Sequence, residues 1–328
     1  MTLLLMLVGQ DLGAAENCFP RGKSVTFLIP YTIGSLGNLY GRMIKTVAEE
    51  AIGSQFIPKN VPAKGGIEGM KDLYGARPSG RTLGMLNIAD VVVAGLAGAV
   101  PFEVSQFSIF GRVTQTPRAV YVSKSAHAQG LTTVEAIRSR DTVRWGITGP
   151  TNFFAAAVLN HLLGIEGKYT RVGGSVQEAA KATRRGKADL LVLEVGAAKT
   201  IASGELLPIM ALGPKVPNDR VFAKYKVPMV GRLIKGPDQD QALSLARITA
   251  SGLIVAGPPH IPGMRGTCVE GGFKKALTGS NLRALARTAG KPIAPLNGAA
   301  TRQLIQKAAP DAAQFKSIWI AALKALEK

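Results

Sequence analysis

Three loops carry the residues best suited to chemistry. They are Gly34-Ser35-Leu36-Gly37-Asn38, Gly149-Pro150-Thr151-Asn152 and Gly174-Ser175. Each joins glycine to a small polar residue at the start of a predicted helix, just after a predicted strand. Glycine lets backbone N–H groups approach a ligand closely, and a helix N-terminus supplies about half a positive charge. A carboxylate fits such a place without an arginine. In open α/β sheets ligands bind beyond the carboxyl ends of the strands, where these loops must lie. A tight turn or a helix cap would explain any one loop alone. Three of them, spread over two predicted domains, point to an anion clamp between the domains.

Other chemistry finds little support. Gly75-Ala76-Arg77-Pro78-Ser79-Gly80-Arg81-Thr82 has the spacing of a phosphate loop, with Arg in place of Lys. A helix precedes it and a strand follows, the reverse of what phosphate binding needs. Gly34-Ser35-Leu36-Gly37 approaches a nucleophile elbow, but Ile33 stands where the first glycine belongs. His127, His161 and His260 are far apart, and Cys18 and Cys268 form no CxxC pair. Neither an enzyme nor a bound cofactor or metal is expected. The net charge of +19 is spread along the chain and attracts anions in general. The densest basic run, Arg184, Arg185 and Lys187, falls late in a predicted helix, where cations complement the dipole. Aromatic residues are 6% of the chain and do not interleave with that run, which disfavours nucleic acid. A polyanion binder driven by charge alone remains the rival class.

The positioning elements are legible from periodicity. A chain of 328 residues suggests two domains, and 46% hydrophobic with 19% charged residues is a globular balance. Val25 to Ile29 reads as a strand. Leu39, Met43, Ile44, Val47 and Ala48 then recur at helical spacing. Strands near Phe56 to Lys59 and at Thr82 to Asn87 continue the alternation, which predicts a mostly parallel sheet covered by helices. Arg118 to Ser123 reads as a strand crossing into a second unit. That unit has strands at Thr142 to Ile147, Tyr169 to Val172 and Asp189 to Leu193. Capping boxes are predicted at Thr132 to Glu135 and at Ser175 to Glu178. Leu253 to Ala256 returns the chain to the first unit, and the tail from Pro262 reads as helices broken near Gly290 to Gly298. No apolar run reaches the ~18 residues of a membrane span. Leu3 to Val8, followed by Gly13-Ala14-Ala15, reads as the remnant of a secretory signal spanning residues 1–15. In an exported chain Cys18 and Cys268 are candidates for one disulfide.

Ordered motifs along nearly the whole mature chain resemble a known family. Ile29 to Asn38 looks like the first-strand signature V-P-F-A-P-G-G-G-T-D of the substrate-binding proteins of tripartite tricarboxylate transporters (the TctC, or Bug, family). Asn60-Val61-Pro62-Ala63-Lys64-Gly65-Gly66 resembles N-R-P-G-A-G-G, and Pro78 to Leu83 resembles P-D-G-Y-T-L. Gly146 to Thr151 follows the G-S-S-G-V-G loop. Arg185 to Asp189 is similar to G-G-Q-V-D, and Lys226-Val227-Pro228 to D-V-P.

The resemblance implies a periplasmic, monomeric clamshell of the type II binding-protein kind, not an enzyme. It implies a small carboxylate held by loop amides and delivered to membrane transporter subunits; a ligand sensor for a membrane signalling system is the alternative. Residues 24–118 plus 252–328 would form domain 1 and 119–251 domain 2. Carried over by position, first-domain contacts come from Tyr31, Thr32, Gly34, Ser35 and Asn38, with Gly65, Gly66 and Ala89 nearby. Second-domain contacts come from Thr148, Gly149, Thr151, Asn152 and Gly174. Four departures stand out. Leu36 interrupts the family's glycine run, and Ala155 replaces a frequent His. Asn38 replaces an Asp that in some members holds a ligand ammonium, which argues against an amino-acid ligand. Glu194 stands near a position where members carry Asp or Ser, and its charge would repel an anion.

Overall fold

The computed structural model describes residues 18–20, 22–195, 204–215 and 220–326. The signal read at residues 1–15 lies outside them. The chain alternates strands and helices around two sheets. The first half runs β1 (Val25–Ile29), α1 (Leu36–Ile52), β2 (Phe56–Asn60), α2 (Ile67–Tyr74), β3 (Thr82–Asn87), α3 (Ile88–Leu96), β4 (Ser108–Thr114) and β5 (Arg118–Ser123). Short helices α4 (Lys124–Ala128) and α5 (Val134–Arg138) lead to β6 (Val143–Ile147), α6 (Pro150–Leu163), β7 (Gly167–Arg171), α7 (Val176–Arg184), β8 (Leu190–Glu194) and β9 (Leu206–Leu212). Then come α8 (Arg220–Lys224), α9 (Val230–Leu233), α10 (Gln239–Thr249) and β10 (Leu253–Gly257). The tail is α11 (Gly263–Thr278), α12 (Ser280–Thr288), β11 (Leu296–Asn297), α13 (Gly298–Ala313) and α14 (Lys316–Leu326).

The first sheet has the order β11-β4-β10-β3-β1-β2 and the second β7-β6-β8-β5-β9. This is the expected two-lobed α/β architecture, with one difference. Both sheets are mixed rather than mostly parallel. Strand β1 pairs parallel with β2 and β3, and β6 with β7 and β8. The crossing strands run the other way: β10 is antiparallel to β3 and β4, and β5 to β8 and β9. The cause is connectivity. The chain leaves the first sheet through β4 and re-enters through β10, which slots between β3 and β4.

The two crossings between lobes touch each other. Thr116 N–H donates to Ala250 O at 3.4 Å, and Ile88 N–H to Gly252 O at 3.0 Å. Gly252 has φ +107°, and a Cβ there would stand 2.0 Å from Thr114 O. Only glycine allows this approach. Behind the crossings lies an apolar seam that draws on both lobes. Ala89 and Val93 of α3 share a cluster with Phe153 and Phe154 of α6. Helix α14 closes it: the Trp319 ring lies 4.9 Å from Phe153, and its indole N–H donates to Val93 O. Helix α14, within the segment 252–328, packs on α6. Two aromatic faces at Phe315 and Trp319 give the helix a better burial site there.

Local signals mostly act as expected. Ser175 and Glu178 form a full capping box. The box at Thr132 to Glu135 does not form; Thr133 caps α5 instead, its hydroxyl accepting from Ala136 N–H at 3.2 Å. The cap falls one residue later, at Thr133, which is extended (φ −134°, ψ 169°) next to the first helical turn. Among the described residues no helix is long and apolar enough to cross a membrane.

Cys18 and Cys268 are joined in a disulfide that spans 250 residues of sequence. It fastens the N-terminal segment to α11, where Arg265 also lies over the Phe19 ring, 5.2 Å from its centroid. Replacing both cysteines by serine is expected to cost about 2–5 kcal/mol, the usual effect of losing a native bridge. Urea unfolding of the double variant beside the oxidised parent measures this, and the parent in reductant should move toward the variant.

Candidate functional site

The residues that follow β1, β3 and β6 come together between the two sheets, where Thr151 bonds Asp90 and Tyr31 lies beside Asp90; the space between the lobes there is called the cleft. After β1 the chain turns at Tyr31 to Ser35 and enters α1. Ser35 caps that helix, its hydroxyl accepting from Asn38 N–H at 3.2 Å. Asn60, at the end of β2, braces the turn: its amide donates to Tyr31 O at 2.8 Å and to Asn38 Oδ1 at 2.9 Å. Gly37 is required by packing, since a Cβ there would stand 2.4 Å from the Tyr31 ring. The Tyr31 hydroxyl is buried and makes no hydrogen bond. The Asp90 carboxylate and the Asn87 backbone stand beside it.

Two elements face this turn. Gly66, with φ +93°, packs against Pro30 O and permits the 62–66 turn. Gly65 of that turn lies against Pro150 at the start of α6, so the rims of the two lobes meet. Helix α6 begins at Gly149 without a side-chain cap and has Pro150 in its first turn. Among the described residues the N–H groups of Thr151 and Asn152 therefore have no partner within the protein. These are the amides a carboxylate needs.

The floor of the cleft is charged. Arg118, the first residue of β5, is 3% exposed. Its Nε donates to Asn152 Oδ1 at 2.9 Å, Nη1 to Thr116 O and Thr249 O, and Nη2 to Glu194 Oε1 at 3.2 Å. Four of its five donors are thus committed inside the protein. Asp90, in the first turn of α3, accepts from Thr151 Oγ at 2.5 Å, a bond that crosses from one lobe to the other. Asn152 in turn donates to Thr148 Oγ at 2.7 Å. Burial raises the pKa of both Asp90 and Glu194; Arg118 opposes the rise in each. Burial also lifts the Tyr31 phenol well above its ordinary value, and both carboxylates add to it. The four groups sense one another, and their charges sum to one negative when both acids are ionised.

The residues expected from sequence divide into two sets. Tyr31, Asn38, Gly65, Gly66, Ala89, Thr148, Gly149, Thr151 and Asn152 come together on the cleft or directly behind it. Ala89 is fully buried, its N–H taken by Asn87 Oδ1. Thr32 and Gly34 are exposed at the rim, and Ser35 is spent on its cap. Gly174 is exposed, and its N–H donates to Glu178 Oε2 at 3.0 Å. The capping box of α7 thus occupies the amide expected to serve a ligand. Asp90, Arg118 and Asn60 are the site residues that sequence reasoning missed. For Asp90 a signal existed: Asn87 and Asp90 flank a strand-to-helix junction of the same kind as the three loops, but without glycine.

No family model matches the chain. A curated relative, a UPF0065 protein in the TAR-I ttuE-ttuC' intergenic region of Agrobacterium vitis, is 23% identical over 138 residues. The match spans 41% of this chain and 40% of the relative's length. Among solved structures, a TctC solute-binding protein from Polaromonas superposes with a TM-score of 0.66 at 19% identity, over 91% of this chain and 98% of that one. MatC from Rhodopseudomonas palustris with bound malate gives a TM-score of 0.67 at 17% identity, over 90% and 99%. The chain has the fold of these binding proteins.

Two outcomes follow from the charged floor. A carboxyl with a raised folded-state pKa binds its proton earlier in the folded than in the unfolded chain. Its charge therefore costs stability at neutral pH, and the cost fades as pH falls from the raised value toward the ordinary carboxylate range near ~4. Glu194→Gln should match or exceed the parent in stability at pH 7.5, and the difference should close on acidification; urea midpoints at several pH values check this. Arg118→Met strands two carboxylates without their cation. It should cost about 3–5 kcal/mol at pH 7.5, with part recovered at pH 5, in the same unfolding series.

Proposed function

We propose that the protein is an extracytoplasmic solute-binding protein that closes its two lobes on a small carboxylate and works with membrane transporter subunits of the tripartite tricarboxylate kind. The observation that carries this reading is the uncapped start of α6, where Pro150 meets Gly65 of the 62–66 turn of the other lobe. A carboxylate there meets the positive end of the helix dipole and two amides with nothing else to bond. The malate bound to MatC, a protein of the same fold, supports the ligand class. In this reading 24–118 and 252–328 form one lobe and 119–251 the other, with α14 continuous with the first and riding on the second.

Binding rather than catalysis is the work of such a site. The ligand bridges the lobes, so its contacts are complete only when the rims meet. That difference in affinity shifts the population toward the closed form. A transporter subunit then reads the closed face. The Cys18–Cys268 disulfide fits an oxidising compartment, as a periplasmic protein requires.

Thermal unfolding of ligand-stripped protein against mono-, di- and tricarboxylates tests the reading. A bound acid at ~100 times its Kd should add about 2.7 kcal/mol, and at least one acid class should raise Tm. No shift with any acid, together with steeply salt-dependent DNA binding, would replace the reading with charge-driven polyanion binding.

A further inference from the structure

The floor of the cleft does not suit a simple dianion. Among the described residues Arg118 is the cation that Asp90 and Glu194 both face, and the guanidinium is almost fully committed to Asn152, Thr116, Thr249 and Glu194. It serves the protein, not a ligand. Against it stand two carboxylates. One oxygen of Asp90 accepts from Thr151, and one of Glu194 accepts from Arg118. Among the described residues the second oxygen of Glu194 accepts from nothing, and Asp90 has beyond Thr151 only the Tyr31 hydroxyl beside it. That hydroxyl is buried in the same place and in bonding geometry with no group, so it adds to the two acids an oxygen able to accept from a donor. A buried polar atom left unpaired costs free energy that a ligand can recover. With both acids ionised the group carries one negative charge beyond Arg118, and its oxygens suit a donor group that carries positive charge.

We propose that the ligand is a zwitterion, a small carboxylate that also bears a protonated nitrogen, with the nitrogen held by Asp90, Glu194 and the Tyr31 hydroxyl. The inference rests on the carboxylate reading of the α6 N-terminus and adds the second half of the ligand. Thr151 ties the halves together. Its N–H faces the carboxylate end, and its hydroxyl bonds Asp90. The two charges of the ligand are therefore close neighbours, as in an α-amino acid or a short ω-amino acid. Glu194, which the family comparison marked as repulsive to an anion, becomes an attractive contact. Asn38 in place of an acid loses its force as an argument against an amino acid, because Asp90 and Glu194 supply the charge from other elements.

Matched triplets of probes test this: succinate, malate and aspartate; glutarate, 2-hydroxyglutarate and glutamate; butyrate, γ-hydroxybutyrate and γ-aminobutyrate; phenylpropionate, phenyllactate and phenylalanine. Within a triplet only the hydrogen, hydroxyl or ammonium substituent changes. Calorimetric titration of ligand-stripped protein should find the amino member tightest in at least one triplet, by a factor on the order of ten, the effect of one charge-assisted hydrogen bond. Glu194→Gln and Asp90→Asn should each shrink that ratio toward one while the unsubstituted acid still binds. Two variants on different lobes guard against one of them failing to fold. Equal or tighter binding of the plain or hydroxy acid in every triplet overturns the zwitterion and leaves the carboxylate reading standing. A preference for the amino member that survives both variants also overturns it. Binding of no probe at all overturns both readings together.

Discussion

A single buried guanidinium holds together parts of the chain that lie far apart in sequence. Arg118 opens the strand that enters the second sheet. It bonds the end of α10 at Thr249, the crossing segment at Thr116, the first turn of α6 at Asn152 and the end of β8 at Glu194. The two crossings, the uncapped helix and the acidic floor are therefore fixed by one side chain. The arrangement is costly to assemble, because an arginine and an acid must both leave water. Its return is positional. Each committed N–H removes a freedom from a different element, so the crossings, the start of α6 and the end of β8 are held in register at Arg118.

The backbone supplies the complementary half. Gly252 allows the returning strand to pass against Thr114 O, and Gly66 lets the 62–66 turn sit on Pro30. Gly37 makes room for the Tyr31 ring. Without these, the rims could not approach. With them, helix α6 starts in the open, its first amides unspent. The contrast with α7 is instructive. Both helices follow strands of the second sheet, and both begin with glycine and a polar residue. In α7 the Glu178 carboxylate has already taken the Gly174 and Ser175 amides. In α6 the cap position is Gly149, with no side chain to accept from the first turn, and Asn152 stands third; in α7 the Ser175 hydroxyl accepts from Glu178 N–H. The residue at the cap separates a satisfied helix start from an open one.

That contrast also explains what could be read in advance. The strand and helix alternation depends on local periodicity, so β1, β3 and β5 were legible to their ends, as was the capping box at Ser175. The same box argued against Gly174 as a ligand contact, since a satisfied cap has no amide to offer. The loops at Tyr31 to Asn38 and Thr148 to Asn152 were legible because glycine and small polar residues at strand ends have a local cause. Asp90, Arg118 and Glu194 were not legible as a group. Their common place depends on β10 slotting between β3 and β4 and on β5 pairing beside β8, pairings between segments more than sixty residues apart. The aromatic anchor of α14 is of the same kind: Trp319 meets Phe153 only after both lobes exist.

The net charge of +19 and the acidic cleft floor act at different ranges, and their opposition has a physical logic. A basic surface raises the local concentration of any carboxylate and speeds encounter. Its reach is about 8 Å at physiological salt, so it steers without discriminating. Where water is excluded each charge needs a partner. There the sign reverses: Asp90 and Glu194 outnumber Arg118, and the buried Tyr31 hydroxyl lies beside them. A ligand that only repeated the surface's preference would leave the floor uncompensated. One that carries both signs satisfies the helix start with its carboxylate and the floor with its cation. On the zwitterion proposal, composition accounts for what is drawn to the molecule, and Asp90, Glu194 and Tyr31 account for what is kept.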